Sequence, residues 1–208
     1  MKQGFFEILE NTPLVQGVYR MRLRGDVSAF TSPGQFLNIR LDGLFLRRPI
    51  SVCDLDEDTV TVIYKVVGEG TGRLSEMRTG RLDILTGLGN GYDLTLSGDA
   101  PLLVGGGVGV PPLYLTAKRL VSMGKTVSAV LGFNRAEEVF YEKEFEALGV
   151  TVTVMTADGS SGGKGFVTLT GDVGAVREAV AAASRDAELL VGTSVIPRPA
   201  QQVFQSLL

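Results

Sequence analysis

The chain contains no histidine among its 208 residues. Histidine is the usual general base and the commonest metal ligand, so its absence excludes Ser-His and Cys-His nucleophile arrangements. Cys53 is the single cysteine. One thiol cannot form an intrachain disulfide, and it cannot supply the four thiolates of a structural zinc or iron–sulfur site. We therefore expect no metal site in this chain, and any redox chemistry must be carried by a bound organic cofactor.

Two further features are missing. No apolar run approaches the ~20 residues needed to span a bilayer, and the first residues do not form a signal peptide. The net charge is -3 with both signs interspersed, so there is no basic field. We therefore expect a cytoplasmic protein that binds neither nucleic acid nor a membrane. The hydrophobic content of 44% is sufficient for one large core or two smaller ones.

The first half of the chain alternates with period two. Tyr19, Met21 and Leu23 share one face of a segment whose other face carries arginines, which is typical of a half-buried antiparallel strand. Further strands are predicted over residues 5–9, 35–41, 50–53 and 59–67. A helix is predicted over residues 71–77, with Thr71 as its N-cap. This pattern predicts a small antiparallel barrel or sandwich over residues 1–97.

After residue 97 the pattern changes to alternating strands and helices. Strands are predicted over residues 102–104, 126–131, 151–155 and 188–191. Helices are predicted over residues 113–123, 141–148 and 175–184. This order favours a parallel α/β domain over residues 98–208. A small-residue segment, 158–163, is expected to be a mobile loop.

A glycine-rich turn begins the second half. It contains Gly105, Gly106, Gly107 and Gly109, and a proline pair suited to a first helical turn follows at Pro111. Glycine lets backbone N–H groups approach a phosphate, and a helix N-terminus favours an anion. The same glycines could instead only allow close packing of a strand against a helix. The turn alone leaves both interpretations open.

Two motifs in the first half bear on this choice. Arg48 could donate to a pyrophosphate and Ser51 could reach a flavin ring nitrogen, although the pair also fits an exposed turn entering an edge strand. The Gly68-Glu69-Gly70-Thr71 segment links a strand to a helix start. It could be a second anion-binding turn or an ordinary join. Two such turns and an arginine together favour a dinucleotide such as FAD.

These motifs, in this order and spacing, resemble the ferredoxin-reductase family, which has an FAD-binding barrel followed by a pyridine-nucleotide domain. Residues 131–135 and 139–145 make the chain most similar to the electron-transfer subunit of NAD-linked dihydroorotate dehydrogenase. The resemblance spans about residues 5 to 190. It implies that Ser51 takes part in catalysis at the flavin edge. The residues that it implies in FAD binding are Arg48, Pro49, Ile50, Ser51, Ile63, Tyr64, Lys65, Gly70 and Thr71. Those that it implies in binding NAD(H) or NADP(H) are Gly105, Gly106, Gly107, Gly109 and Pro111.

The resemblance implies hydride transfer between nicotinamide and flavin, followed by electron passage to a dihydroorotate dehydrogenase catalytic subunit of pyrimidine biosynthesis. The family's four cluster-binding cysteines have no counterpart, so no iron–sulfur cluster is expected in this chain. The family's Cys-Gly-Pro segment aligns best with residues 195–199, which puts Val195 in place of the cysteine. The alternatives are a stand-alone NAD(P)H-dependent flavin or ferredoxin reductase, and a non-catalytic relative that binds FAD or a partner.

Overall fold

The computed structural model describes residues 1–165, so the segments predicted over 175–184, 188–191 and 195–199 lie outside the described residues. The first part of the chain forms a closed antiparallel barrel in the strand order β1-β2-β5-β4-β3-β6. Its strands are β1 (Lys2–Val15), β2 (Val18–Arg24), β3 (Phe36–Ile39), β4 (Arg48–Leu55), β5 (Thr59–Lys65) and β6 (Arg81–Leu88). The predicted antiparallel barrel is confirmed.

Alternation decides which side chains fill the barrel. Met21 and Leu23 of β2 are completely buried, whereas Arg20 points outward and pairs with Glu10 at 2.7 Å. The strand β6 is not among those predicted, although Leu82 and Ile84 are both buried in the same alternating manner. Pairing of β6 with β1 closes the barrel, so no sheet edge is left open between them.

One helix covers the barrel. This helix, α1 (Glu69–Glu76), begins two residues before the predicted start, with Gly68 as its N-cap. The prediction of Thr71 as N-cap is therefore wrong, because Thr71 occupies the third helical position. Its Oγ1 nevertheless accepts hydrogen bonds from the backbone N–H groups of Val67 at 2.9 Å and Gly68 at 3.2 Å. The hydroxyl thus holds the turn before the helix from inside the first helical turn.

A buried polar network fixes the other end of α1. Asn11 Nδ2 donates to the carbonyl oxygens of Leu74 at 2.8 Å and Met77 at 2.7 Å. The Tyr64 hydroxyl donates to Asn11 Oδ1 at 2.9 Å. Asn11 is 2% exposed and Tyr64 is 3% exposed, so each of these groups needs its partner. Burial raises the pKa of Tyr64 from 10.0 to about 12.

This raised pKa predicts a loss of stability in alkaline solution. The folded protein retains the Tyr64 proton up to about pH 12, whereas the unfolded chain loses it near pH 10. The Tyr64 proton therefore does not change the free energy of unfolding below pH 10, and that free energy falls between pH 10 and 12 by at most about 1.4 kcal/mol per pH unit for this group. Chemical denaturation across this range measures the slope. Tyr64→Phe is expected to abolish the part of the pH dependence that comes from Tyr64. It is also expected to lower the free energy of unfolding by about 1 kcal/mol at neutral pH, because the hydrogen bond to Asn11 is lost.

Tyr19→Phe provides the control for this measurement. The Tyr19 ring stacks on the Tyr64 ring with a centroid distance of 5.9 Å, but its hydroxyl makes no hydrogen bond within residues 1–165. We expect this variant to show the alkaline slope of the parent protein. Equal slopes for the parent and Tyr64→Phe between pH 10 and 12 would contradict the prediction.

The second part forms a parallel sheet in the order β10-β9-β8-β7. Its elements are β7 (Leu102–Gly106), α2 (Pro111–Ser122), β8 (Ser128–Phe133), α3 (Glu142–Ala147), β9 (Thr151–Thr156) and β10 (Gly163–Lys164). The predicted alternation is confirmed as far as β9, and the proline pair does occupy the first turn of α2. Residue 163, however, was predicted to lie in a loop and instead begins β10. Gly162 has a positive φ of 62° and lies against the Val154 carbonyl, which turns the chain back onto β9.

The barrel and the parallel sheet share a buried boundary. Leu115 of α2 packs with the barrel core, and Cys53 of β4 packs with the apolar residues of the second part. Lys118 Nζ contacts Asp54 Oδ1 at 2.8 Å across this boundary. Burial raises the pKa of the Cys53 thiol to about 12, so it is not a thiolate at neutral pH. No helix in the described part of the chain is long and apolar enough to cross a membrane.

Candidate functional site

Arg48 and Gly70, which lie far apart in sequence, are in contact. Arg48 begins β4, and its guanidinium lies on the Cα of Gly70 in the first turn of α1. A Cβ at Gly70 would overlap Arg48 Nε and would lie 2.6 Å from Arg48 Cζ. Two residues predicted to bind the FAD phosphates are therefore brought together. The absence of a side chain at Gly70 is what allows the guanidinium to lie against the helix start.

The two neighbouring arginines have different partners. Arg47 makes a bidentate contact with Asp83, with Nη2 at 3.1 Å from Oδ1 and 3.0 Å from Oδ2. Arg48 donates only to backbone carbonyl oxygens, those of Leu46 and Arg47. It pairs with no carboxylate among residues 1–165. Arg47 is therefore part of the barrel's structure, while no acidic side chain among residues 1–165 neutralises the positive charge of Arg48.

The start of α1 adds a second positive element beside Arg48. The first turn of a helix has N–H groups without intrahelical acceptors, and its dipole favours an anion there. In α1 the amide of Gly72 is the first to bond back, to the Gly68 carbonyl at 2.9 Å. Thr71 is half-buried next to these amides. We call Arg48, Gly70 and Thr71 the phosphate cradle.

The other predicted FAD-binding residues divide by the direction of their side chains. Pro49 and Lys65 are exposed, and Ser51 is half-buried with no side-chain hydrogen bond to any residue that the structure describes. Ile50 and Tyr64 fill the barrel core, and Ile63 is buried against the second part. The side chains of these last three do not face solvent. A cofactor could meet them only through their backbone atoms.

The glycine turn after β7 contains two kinds of glycine. A Cβ at Gly105 would lie 2.7 Å from Leu113 Cδ1 and 2.9 Å from the Gly109 carbonyl oxygen, and Gly107 has a positive φ of 51°. The fold itself requires glycine at these two positions. Gly106 and Gly109 are neither crowded nor left-handed. Packing therefore explains two of the four glycines. At Gly106 and Gly109 the backbone is uncovered, and these residues lie close to Pro111, which is buried at the start of α2.

A cleft of about 580 Å³ joins the two parts of the molecule. It lies between the end of β5 and the carboxyl ends of β7 and β8, where parallel sheets commonly bind ligands. Lys65 stands on its barrel side and Gly106 and Gly107 on its other side. We did not predict the remaining lining residues, which are Val15, Gln16, Val18, Val108, Gly132, Phe133, Asn134, Glu138 and Phe140. Asn134 directly follows the observed end of β8, whereas the predicted strand ended at residue 131, so its position at the strand end was not evident from the sequence.

A closed antiparallel barrel followed by a parallel sheet, with a cleft between them, is the fold of the ferredoxin-NADP reductase class. Solved structures support this class. One, from a study of the NADH-dependent reduced ferredoxin-NADP oxidoreductase, aligns with a TM-score of 0.71 at 29% identity, over 88% of this chain and 64% of that one. A ferredoxin NADP+ reductase from Neisseria gonorrhoeae has the same fold, with a TM-score of 0.68 at 16% identity over 91% and 82% of the two chains.

Curated relatives narrow the class further. The electron transfer subunit of dihydroorotate dehydrogenase B (NAD(+)) from Bacillus pumilus is 46% identical over 177 residues, covering 81% of this chain and 68% of the relative. The subunit of that name from Fusobacterium nucleatum is 48% identical over 168 residues, covering 76% and 64%. The chain belongs to this family of electron transfer subunits. It is thus a flavoprotein oxidoreductase component, of a class whose cofactors are FAD and a nicotinamide nucleotide.

A second similarity concerns the last quarter of the chain. The model of the BMC domain family matches residues 150–199. Within the described residues, this match covers β9 and β10, and β9 pairs in parallel with β8 from Ser128↔Thr151 to Phe133↔Thr156. That pairing continues the parallel sheet of the second part. The match also contains residues 195–199, which lie outside the described residues. The alignment of Val195 with the cysteine of the electron transfer subunits therefore stays a prediction.

Proposed function

We propose that this chain binds FAD on the barrel and a nicotinamide nucleotide in the cleft, and passes electrons to a dihydroorotate dehydrogenase catalytic subunit. The observation that carries the proposal is the phosphate cradle. A guanidinium that pairs with no carboxylate among residues 1–165 lies against the amides of a helix start, and the missing side chain of Gly70 allows this contact. A diphosphate matches this arrangement in charge and in its number of acceptor oxygens.

The side chains around the cradle have separable tasks in this proposal. Arg48 holds one phosphate through charge-assisted hydrogen bonds, and Thr71 and the first amides of α1 hold the other. Ser51 offers the edge of the flavin a hydroxyl that makes no hydrogen bond within the described part of the chain, and Pro49 and Lys65 flank the ring. Bound FAD supplies a carrier that accepts a hydride and releases single electrons. Because the cofactor carries the electrons, the task of Ser51 is to orient the flavin ring. Hydride transfer between nicotinamide and flavin needs no histidine.

The nicotinamide nucleotide belongs in the cleft because there the glycine turn faces the barrel. Gly106 and Gly109 allow its diphosphate to approach the backbone, and the start of α2 favours the negative charge. The ion pair between Lys118 and Asp54 fixes α2 against the barrel. The choice between NADH and NADPH depends in part on Arg135. The Arg135 Nε lies 3.8 Å from Glu138 Oε1. This carboxylate partly neutralises the positive charge with which Arg135 would bind the 2′-phosphate of NADPH.

Gly106→Ala tests the nicotinamide half separately. A Cβ at this position would lie no closer than 3.7 Å to its nearest neighbour, the Gly132 carbonyl oxygen, so the fold tolerates it. The methyl group would nevertheless occupy the uncovered backbone that the diphosphate approaches. We expect NADH to bind at least tenfold more weakly, on the order of 1.4 kcal/mol, with FAD affinity unchanged. Gly98→Ala, which meets nothing within 4 Å, is the control. Equal NADH affinity in both variants would contradict this assignment.

Anaerobic mixing of the FAD-loaded protein with NADH tests the proposed transfer. Bleaching of the flavin band supports it, and an unchanged band favours the non-catalytic alternative. Co-purification with a dihydroorotate-oxidising subunit supports the proposed partner. High diaphorase activity without such a partner would favour a stand-alone reductase. The cytoplasmic location, and the absence of nucleic-acid and membrane binding, stay predictions from composition.

A further inference from the structure

The tip of the hairpin between β1 and β2 forms part of the barrel side of the cleft. Val15, Gln16 and Val18 line the cleft there. Gln16 is exposed, and its side-chain amide makes no hydrogen bond with any residue that the structure describes. Of the barrel residues that line the cleft within residues 1–165, Gln16 and Lys65 are the two with a polar side chain. The proposed function places Lys65 beside the flavin ring, so Gln16 is the polar group on this side that has no task in it.

The hairpin tip is held in a fixed position against the second part. Val15 pairs with Val18, so Gln16 and Gly17 form a two-residue turn, in which Gly17 has a positive φ of 72°. The Gly17 carbonyl accepts a hydrogen bond from the Val66 N–H at 2.8 Å. Val18 is buried among the apolar residues of the second part, and Val15 packs against the same residues. The fold therefore supports Gln16 from both sides of the cleft.

The other wall of the cleft offers two kinds of polar group. At Gly106 and Gly107 it presents backbone, which suits a diphosphate. Glu138 presents a carboxylate, which accepts a hydrogen bond from Asn134 Nδ2 at 2.8 Å. A carboxylate repels a phosphate but accepts hydrogen bonds from hydroxyl groups, and each ribose of a dinucleotide carries a pair of hydroxyls. The space between Glu138 and the hairpin therefore suits a ribose better than the diphosphate.

We propose that Gln16 binds a ribose of the nicotinamide nucleotide from the barrel side of the cleft. This inference rests on the proposed function, since it needs the nucleotide in the cleft. A glutamine amide both donates and accepts hydrogen bonds, as ribose hydroxyls do, so the two groups are complementary. Gln16 lies outside the predicted motifs. Through it the barrel, which holds the flavin, contributes directly to the affinity for the second nucleotide.

Two substitutions test the assignment in the full chain loaded with FAD. Calorimetric titration with NAD⁺ measures nucleotide binding without reducing the flavin. Gln16→Ala is expected to weaken NAD⁺ binding about 3- to 10-fold, as for loss of hydrogen bonds from one side chain, and to leave FAD occupancy unchanged. Gln16→Glu is expected to bind NAD⁺ more tightly than Gln16→Ala does, because a carboxylate accepts hydrogen bonds from ribose hydroxyls. Gln3→Ala is the control, since Gln3 is an exposed glutamine of β1 that donates to Asp83 and does not line the cleft.

The other outcomes overturn the assignment. Equal NAD⁺ affinities of Gln16→Ala and the parent would show that the hairpin does not bind the nucleotide. Weaker binding by Gln16→Glu than by Gln16→Ala would place Gln16 beside the diphosphate and not beside a ribose. An equal loss of affinity in Gln3→Ala would show that the effect is not specific to the cleft. A parent protein that retains FAD but does not bind NAD⁺ would overturn the nicotinamide half of the proposed function and this inference with it, which separates the two failures.

Discussion

Arg48→Ala is expected to weaken FAD binding by about 10- to 150-fold. The variant removes a charge-assisted contact to phosphate, worth about 1.5 to 3 kcal/mol. The folded protein loses little, because Arg48 donates only to nearby backbone carbonyls and lies on a glycine. Equilibrium titration of the flavin-free protein measures the affinity, and thermal unfolding without flavin measures the stability.

The control for Arg48→Ala is Arg81→Ala. Arg81 is an exposed residue of β6 that makes no side-chain hydrogen bond or ion pair with the residues that the structure describes. Its removal changes the net charge by the same amount and is expected to leave FAD affinity unchanged. If both variants bound FAD as tightly as the parent, Arg48 would have no role in the phosphate cradle. Arg47→Ala is unsuitable as a control, since it breaks the bidentate contact with Asp83.

Gly70→Ala is expected to weaken FAD binding at least tenfold, on the order of 1.4 kcal/mol. The new Cβ would occupy the position of the Arg48 guanidinium and displace it from the cradle. In the flavin-free protein the arginine can swing into solvent, so we expect the melting temperature to change little. Affinity and stability should therefore separate in this variant.

Gly72→Ala is the matched control, because it lies in the same helix and a Cβ there meets nothing within 4 Å. We expect it to bind FAD normally and to stabilise α1 by about 0.5 to 1 kcal/mol. The double variant Arg48→Ala/Gly70→Ala is expected to bind FAD no more weakly than Arg48→Ala alone, since both changes remove one contact. If the two changes weakened FAD binding additively, Gly70→Ala would not act by displacing Arg48, and the explanation would be wrong.

Much of the fold follows from alternation and turn residues. The pattern of Tyr19, Met21 and Leu23 predicts both the strand and its buried face, and the proline pair predicts the start of α2. The strand β6 has the same alternation but went unpredicted. The start of α1 at Glu69 is harder to predict, because Gly68 caps it without a side chain while Thr71 acts from inside the helix. Residue type favours an N-cap at Thr71, but the backbone conformation of the preceding turn places the N-cap at Gly68.

The candidate site was partly predictable. Motif order indicates Arg48, Gly70 and the glycine turn, but only the folded chain shows that Arg48 lies on Gly70. Alternation along β4 could have shown that Ile50 faces the barrel core, since it lies between the more exposed Pro49 and Ser51. No such signal exists for Tyr64, because every residue of β5 except Lys65 is buried.

The end of the chain is where the two similarities differ. The curated relatives match about four-fifths of the chain, and the BMC domain model matches residues 150–199. The described part of that range, through β9, belongs to the parallel sheet. The FAD half of the proposal depends on residues 1–165 alone. The nicotinamide half also involves the predicted alignment of Val195 with the family's cysteine, which lies outside the described residues, so the Gly106 variant and the reduction by NADH are its separate tests.

The central claim is that this chain binds FAD through the phosphate cradle. The most direct measurement incubates the purified protein with FAD, removes free cofactor by gel filtration and records the visible absorption spectrum. We predict a flavin band that elutes with the protein in a stoichiometric amount, and a much weaker band for Arg48→Ala. A colourless parent protein would contradict the account.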